Sequence, residues 1–279
     1  MWVVARIEVK SSQHGVPSVW VEIENVTDRQ CQKIYVTLDS FLSTEQQVSD
    51  AVAKALQFAT ELCPDANPSD LWHHVIYRHL LDRGFSDQRW KRVSGFALER
   101  SLINIYRPRL EPYGVRVRIL PAPEASQLLT TLGIRVKASK VDIFLEGLGR
   151  DGWKIFGAVH AKSSIAERIQ DDVPASLAFM HHGLLSIALT MDVKSFPPPH
   201  GDGINYGELG GRSFEIEKTR PKRVYIEEDG QFDALFSFNL RTPPSPPRTP
   251  SEKRIYTLSL SERQPDTFVT FVVNRWRAR

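Results

Sequence analysis

Residues 2–9 and 17–24 alternate apolar and polar positions or are rich in Val, Ile and Trp. His14, Gly15 and Pro17 lie between them, which predicts a hairpin. Lys33–Leu38 is a further strand expectation. The period then lengthens: Val48, Val52, Leu56 and Phe58/Ala59 recur at three-to-four spacing, predicting a helix over Ser43–Leu62. Cys63–Pro68 reads as a loop, with Ser69–Asp70 as caps for a helix to about Arg83, and Gly84–Gln88 as a second loop. A long helix is expected from Ser94 to Leu110, perturbed at Pro108, followed by a strand at Val115–Leu120 and a short helix at Ala125–Gly133.

Three strands follow in the pattern: Lys140–Glu146, Trp153–Ala161 and Leu184–Val193. A helical stretch, Ser164–Gly183, broken near Pro174, separates the last two and makes a βαβ unit. Arg223–Ile226, Ala234–Asn239, Arg254–Leu260 and Thr267–Val273 are expected to add strands, with Pro-rich loops at 196–200 and 243–250. The fold class is therefore α/β (α+β), a mixed β-sheet flanked by helices. It divides into an N-terminal hairpin and helical region, 1–88, and a second, larger domain, 89–279.

Composition narrows this only a little. With 279 residues, 41% hydrophobic and 25% charged, the chain excludes wholesale disorder, collagen-like repeats and coiled coil. No run approaches the roughly 20 apolar residues of a membrane span, and MWVVARIEVK lacks the layout of a secretory signal. Cys31 and Cys63 cannot build a disulfide scaffold or a four-cysteine zinc site, so a reducing cytoplasm is the expected compartment. The net charge is only +3. Its distribution says more: Arg89, Lys91, Arg92, Arg100, Arg107, Arg109, Arg116 and Arg118 face just two acids, Glu99 and Glu111, across one stretch. Such clustering is expected either of a phosphate-binding surface, with Arg92 as one DNA contact, or of a solvated helix face.

The candidate chemistry sits on two strands joined by GLGRDG. Val141, Ile143 and Leu145 are expected on one face, turning Asp142 to the other. Trp153, Ile155, Val159 and Ala161 likewise leave His160 and Lys162 together on the opposite side. An acid followed about 20 residues later by a lysine on a neighbouring strand is the layout of the PD-(D/E)xK nucleases. Phosphodiester cleavage needs a hard oxygen ligand for Mg²⁺, which Asp142 supplies, and a cation near the attacking water, which suits Lys162. In that layout the carbonyl of Ala161 often completes the metal shell. His160 stands where the motif has an acid, so a second carboxylate must come from elsewhere. Asp172 is one candidate, or else a cap for a helix opened by Val173–Pro174. Glu99 is the other, on a stripe with Phe96, Ile103 and Tyr106, unless an arginine from another element neutralises it. His73–His74 and His181–His182 read as surface or core histidines rather than zinc ligands.

Several stretches extend this reading. Lys162-Ser-Ser-Ile-Ala-Glu167-Arg168, Asp171-Asp172-Val-Pro-Ala-Ser and Asp192-Val-Lys-Ser-Phe-Pro-Pro-Pro-His-Gly-Asp202 belong with Cys63-Pro-Asp-Ala-Asn-Pro-Ser-Asp-Leu-Trp-His-His74, Gly207-Glu-Leu209 and Asn239-Leu-Arg-Thr-Pro-Pro244. Over roughly residues 60–255 the chain resembles type II restriction endonucleases of the AgeI/BsaWI group, which cut palindromes with a CCGG centre. Histidine in place of the usual acid before the lysine is shared with that group.

The resemblance implies that Glu99, Asp142, Lys162 and Asp172 form the active site, with Mg²⁺ as cofactor. It implies that Glu167 and Arg168 read the C:G pairs, as arginine can with guanine O6/N7 and glutamate with the cytosine amino group. An i,i+4 ion pair of Arg168 with Asp172 is the competing use of that arginine. His160, Lys194 and Ser195 are expected near the DNA. A palindrome implies a homodimer on double-stranded DNA; in-line attack on phosphorus would leave 5′-phosphate and 3′-hydroxyl ends, and the resemblance implies 5′ overhangs. Two other readings stay open: a structure- or damage-directed nuclease with no use for Glu167–Arg168, and a non-catalytic DNA-binding protein indifferent to Asp142.

Overall fold

The computed structural model describes residues 3–10, 15–165, 168–194, 204–209, 221–261 and 266–279, with backbone only at Arg168 and Pro221. The expected hairpin is there: β1 (Val4–Val9) pairs antiparallel with β2 (Val19–Glu24). Lys33–Leu38 is not a strand. It lies inside α1 (Asp28–Thr44), because Thr27 and Gln30 close a capping box and Cys31, Ile34 and Leu38 bury one helical face. A new helix, α2 (Val48–Leu62), starts after a break at 45–47, so the single helix expected from Ser43 is two.

The cap of the next helix is Asn67 rather than Ser69 or Asp70, and Pro68 takes the first helical position. Its first part, α3 (Pro68–Asp70), widens into a π-helical segment, Leu71–Tyr77, before α4 (Arg78–Asp82). The long helix α5 (Asp87–Leu110) begins seven residues before Ser94 because Ser86 caps it, and it runs through Pro108. Then come β3 (Val115–Arg118), α6 (Ala122–Thr131), β4 (Ile143–Gly149), β5 (Gly152–Lys162), α7 (Arg168–His181) and β6 (Leu185–Thr190). Pro174 sits inside α7 without breaking it.

Two more strand expectations fail. Arg223–Ile226 belongs to α8 (Pro221–Glu227), where Arg223 and Glu227 pair at i,i+4. Thr267–Val273 belongs to α9 (Thr267–Arg277): Asp266 caps it, and Phe268, Val272 and Val273 share its buried face. Ala234–Ser237 and Arg254–Thr257 are strands as expected, β7 and β8.

The sheet is six-stranded, in order β3-β4-β5-β6-β7-β8. β3, β4 and β5 are antiparallel neighbours, whereas β5 through β8 run parallel. Every residue of β6 is buried, as expected of a central parallel strand covered on both faces. One hydrophobic cluster runs from Ala5 to Val273 and joins the hairpin, α1, α2, α5 and α9 to one face of the sheet. The other face packs against α6 and α7 through Phe144, Ala158 and Phe179, and against α7 and α8 through Ile169, Ile226 and Leu235.

A bulge opposite Leu145/Glu146 changes the alternation read from the sequence. Val159 and Ala161 face the larger cluster, but Ile155 packs with the α6 side. Val141, just outside β4, also belongs to the α6 side rather than with Ile143 and Leu145. The inserted residue shifts Trp153 and Ile155 out of phase and leaves the phase of His160 and Lys162 intact.

Candidate active site

The parallel strands β5, β6 and β7 point their C-terminal ends the same way, and the site forms at that end of the sheet. Asp142 lies between a 3₁₀ turn, Ala138–Lys140, and the start of β4; Lys162 is the last residue of the neighbouring β5. The Ala161 N–H donates to Asp142 Oδ2 at 2.7 Å, and Lys162 Nζ donates to the same oxygen at 2.9 Å. From the crossover helix α7, Asp172 forms an ion pair with Lys162 Nζ at 2.8 Å. The Asp142, Lys162 and Asp172 side chains are 14%, 22% and 5% exposed. Burial pulls the lysine pKa down, but the two carboxylates outweigh it and hold the ammonium above its ordinary range. The lysine is thus a fixed cation between two acids. Asp172 is engaged with Lys162 and does not cap a helix opened by Val173–Pro174.

Glu99 approaches from α5, which packs on β5 from the other face. Its carboxyl is raised to about 7, first by burial and then by the charge of Asp142, with Lys162 acting against both. No ion-pair partner for Glu99 stands among the described residues, so the neutralising arginine is not seen. The stripe drawn from the sequence is only partly interior: Ile103 and Tyr106 are buried, but Phe96 is 64% exposed. Glu99 therefore lies at the edge of the core rather than within it.

Hard oxygen donors from three elements meeting around one lysine suit a divalent cation such as Mg²⁺ in chemistry. Among the described residues no three His, Cys, Asp or Glu side chains are already gathered closely enough to hold a metal. His73 and His74, on the π-helical segment, are buried core histidines. His160 is fully buried against the Phe232 ring at 5.7 Å, so it walls the site from within instead of facing a surface ligand. Glu167, the Arg168 side chain, Ser195 and the loop at 196–200 lie outside the described residues. Lys194 is exposed, its N–H donating to Asn205 Oδ1 at 2.7 Å.

The basic stretch is largely neutralised within the fold. Lys91 pairs with Asp87, Arg100 with Asp50, Arg109 with Asp266, and Arg116 and Arg118 with Glu146. Arg89 lies over the Phe85 ring. Arg92 and Arg107 remain exposed without a carboxylate partner among the described residues.

Sequence reasoning noticed the Asn- and Asp-rich stretches but not what they build. Beside the site, Asp192 Oδ1 accepts the Glu208 N–H at 2.6 Å, and its Oδ2 accepts the Thr242 hydroxyl at 2.7 Å. Asn239 Nδ2 donates to the Asp192 and Asn205 carbonyls, while Asn67 Nδ2 donates to Asn239 Oδ1 at 3.0 Å. Arg241 pairs with the buried Asp70 at 2.6 Å. The signal available was polar residues dense in otherwise apolar surroundings; the pairing itself spans far too much sequence to read.

These buried groups set a pH response with opposing signs. Burial raises Asp70 and Asp192 to about 6, as it raises Glu99 to about 7. The folded protein binds those protons first, so stability is gained as pH falls toward the raised values. Burial also lowers His73, His74 (to about 3) and His160. The unfolded chain binds those protons first, which removes stability below about pH 6.5. The urea midpoint should therefore rise from about pH 8.5 to 6.5, level off where the two sets cancel, and fall below about pH 4.5. A midpoint that instead climbs as the pH is raised from about 6.5 to 8.5 would contradict these assignments.

An acid just before β4, a lysine at the end of β5 and a second acid on α7 form the arrangement expected of a phosphodiesterase of the PD-(D/E)xK type. No family model matches the chain. It is 44% identical over 265 residues, 91% of this chain and 94% of the other, to the type II restriction enzyme AgeI of Thalassovita gelatinovora. The crystal structure of a specific AgeI–DNA complex superposes with a TM-score of 0.87 at 41% identity, covering 97% of this chain and 99% of that one. A pre-specific BsaWI–DNA complex gives a TM-score of 0.46 at 16% identity, covering 89% and 92%. The chain belongs to the AgeI family of type II restriction endonucleases.

Proposed function

We propose that this endonuclease cuts double-stranded DNA at a palindrome with a CCGG core, as a Mg²⁺-dependent homodimer in the bacterial cytoplasm. The observation that supports it most is the Lys162 ammonium held at 2.9 and 2.8 Å between Asp142 and Asp172 at the C-terminal end of the interior strand β5. Asp142, Asp172, the Ala161 carbonyl and Glu99 are the oxygen donors that would hold Mg²⁺, which supplies Lewis-acid polarisation of the phosphate when bound. The Ala161 N–H fixes the rotamer of Asp142. Lys162, kept charged by its two acids, orients the attacking water and stabilises charge developing on the phosphoryl oxygens. In-line attack leaves a 5′-phosphate and a 3′-hydroxyl. Glu167 and Arg168 supply the base contacts, and two subunits related by a two-fold axis each cut one strand.

No helix among the described residues is long and apolar enough to cross a membrane. The test of function is digestion of a long sequenced DNA with Mg²⁺ and with EDTA, mapping the fragment ends. Discrete metal-dependent ends centred on CCGG are expected. Diffuse cutting would replace this reading with a structure-directed nuclease, and intact DNA with a band shift would replace it with a non-catalytic binder. Arg168→Ala should lower cleavage at the mapped site by about 10- to 100-fold, the worth of one bidentate guanine contact. Unchanged cutting at that site by the variant would remove Arg168 from base reading.

A further inference from the structure

Phe96 is an exposed aromatic residue in an unusual place. Among the described exposed aromatics, Trp20 is on the N-terminal hairpin, while Tyr113 and Trp153 lie toward the far end of the β3–β4–β5 unit from Lys162. Phe96 instead stands one helical turn before Glu99 on α5, with the exposed Arg92 one turn further back. Three residues of helix advance about 4.5 Å, and one nucleotide step rises about 3.4 Å along a strand. A DNA strand whose phosphate sat beside the Asp142–Lys162 pair and whose backbone ran along α5 would bring the adjoining sugar within reach of residue 96. A ring that is 64% exposed does little for the fold and is free to pack on a ligand bound beside Glu99.

We propose that Phe96 is a positioning residue for cleavage: its ring packs on the deoxyribose adjoining the scissile phosphate and holds that phosphate against the Asp142–Lys162–Asp172 group. This rests on the site reading above. The contact is apolar and blind to sequence, so it acts on the geometry of the reacting phosphate and not on the choice of site.

The experiment compares wild type, Phe96→Ala and Phe96→Tyr on one duplex carrying the mapped site. Single-turnover cleavage with Mg²⁺ at saturating enzyme is measured beside equilibrium binding in EDTA and thermal melting. Phe96→Ala should cut at least about tenfold more slowly, bind within about threefold of wild type, and melt at the same temperature. Phe96→Tyr, which keeps the ring, should recover most of the rate. A wild-type rate in Phe96→Ala would overturn the proposal, as would a rate loss that simply follows a fallen melting temperature. So would a loss that disappears at high enzyme concentration together with restored two-subunit complexes, which would make the ring a subunit contact. If wild type itself gives no discrete cutting, the site reading falls and this inference with it, a result separable from any effect of the variant.

Discussion

Replacing Lys162 with alanine should slow single-turnover DNA cleavage by about a thousandfold, the upper range for losing one preorganised electrostatic group in an active site. The expectation follows from how the lysine is held. Its ammonium is fixed by Asp142 and Asp172 at under 3 Å, and the Asp142 oxygen is itself fixed by the Ala161 N–H. No reorganisation is needed when charge develops on phosphorus. The same substitution leaves two mostly buried carboxylates facing each other with nothing between them. Breaking such an arrangement costs about 3–5 kcal/mol, so the variant should melt well below wild type in EDTA. Mg²⁺, a cation for those oxygens, should recover much of that loss even though cleavage stays lost. Cleavage within tenfold of wild type, or a melting temperature indifferent to both lysine and Mg²⁺, would mean the triad is structural decoration.

That pair was partly legible from the sequence: strand pairing carries its position, but Val141 departs from the face of Ile143 and Leu145, so alternation does not orient Asp142. Two alternating segments around a glycine-rich turn put Asp142 and Lys162 at the same end, and the bulge near Phe156 lies far enough back to leave that end in phase. Glu99 was half legible: helical spacing gave its face, but the exposure of Phe96 depends on where α5 crosses β5, which no local pattern encodes. The errors share one cause. Lys33–Leu38, Arg223–Ile226 and Thr267–Val273 are short runs with β-branched or aromatic residues, and propensity reads them as strands. In each case a capping interaction or an i,i+4 pair, together with one buried helical face, overrode that preference. The polar network was illegible in kind. Asn67 and Asn239 are 172 residues apart, and only the folded sheet brings them together.

Asp192→Ala should be the most destabilising single change outside the catalytic group. Asp192 follows β6 in a left-handed conformation, φ 48°, and is fully buried. Its carboxylate receives the Glu208 and Leu209 N–H groups and the Thr242 hydroxyl, while its carbonyl receives Asn239. Alanine leaves the Glu208 and Leu209 N–H groups without an acceptor, takes one partner from the Thr242 hydroxyl (which keeps Ser237 Oγ at 2.8 Å), and places a residue without a compensating side-chain bond in a strained backbone region. At about 1–3 kcal/mol per orphaned donor, a loss of about 4 kcal/mol or more is expected, a large part of a typical total of about 5–15 kcal/mol. Gly207 gives an independent check from the other side. Its φ is 69°, and a Cβ there would stand 2.2 Å from Asp192 Oδ2, so Gly207→Ala should lower the urea midpoint in the same way. Asp151→Ala, at an exposed turn, should leave it unchanged. The damage should reach catalysis as well, because the Met191 N–H bonds the Lys162 carbonyl and the Val193 N–H bonds Ser163 on either side of Asp192. A midpoint for Asp192→Ala equal to that of Asp151→Ala would show that the network contributes nothing to holding the strand ends on which the site is built.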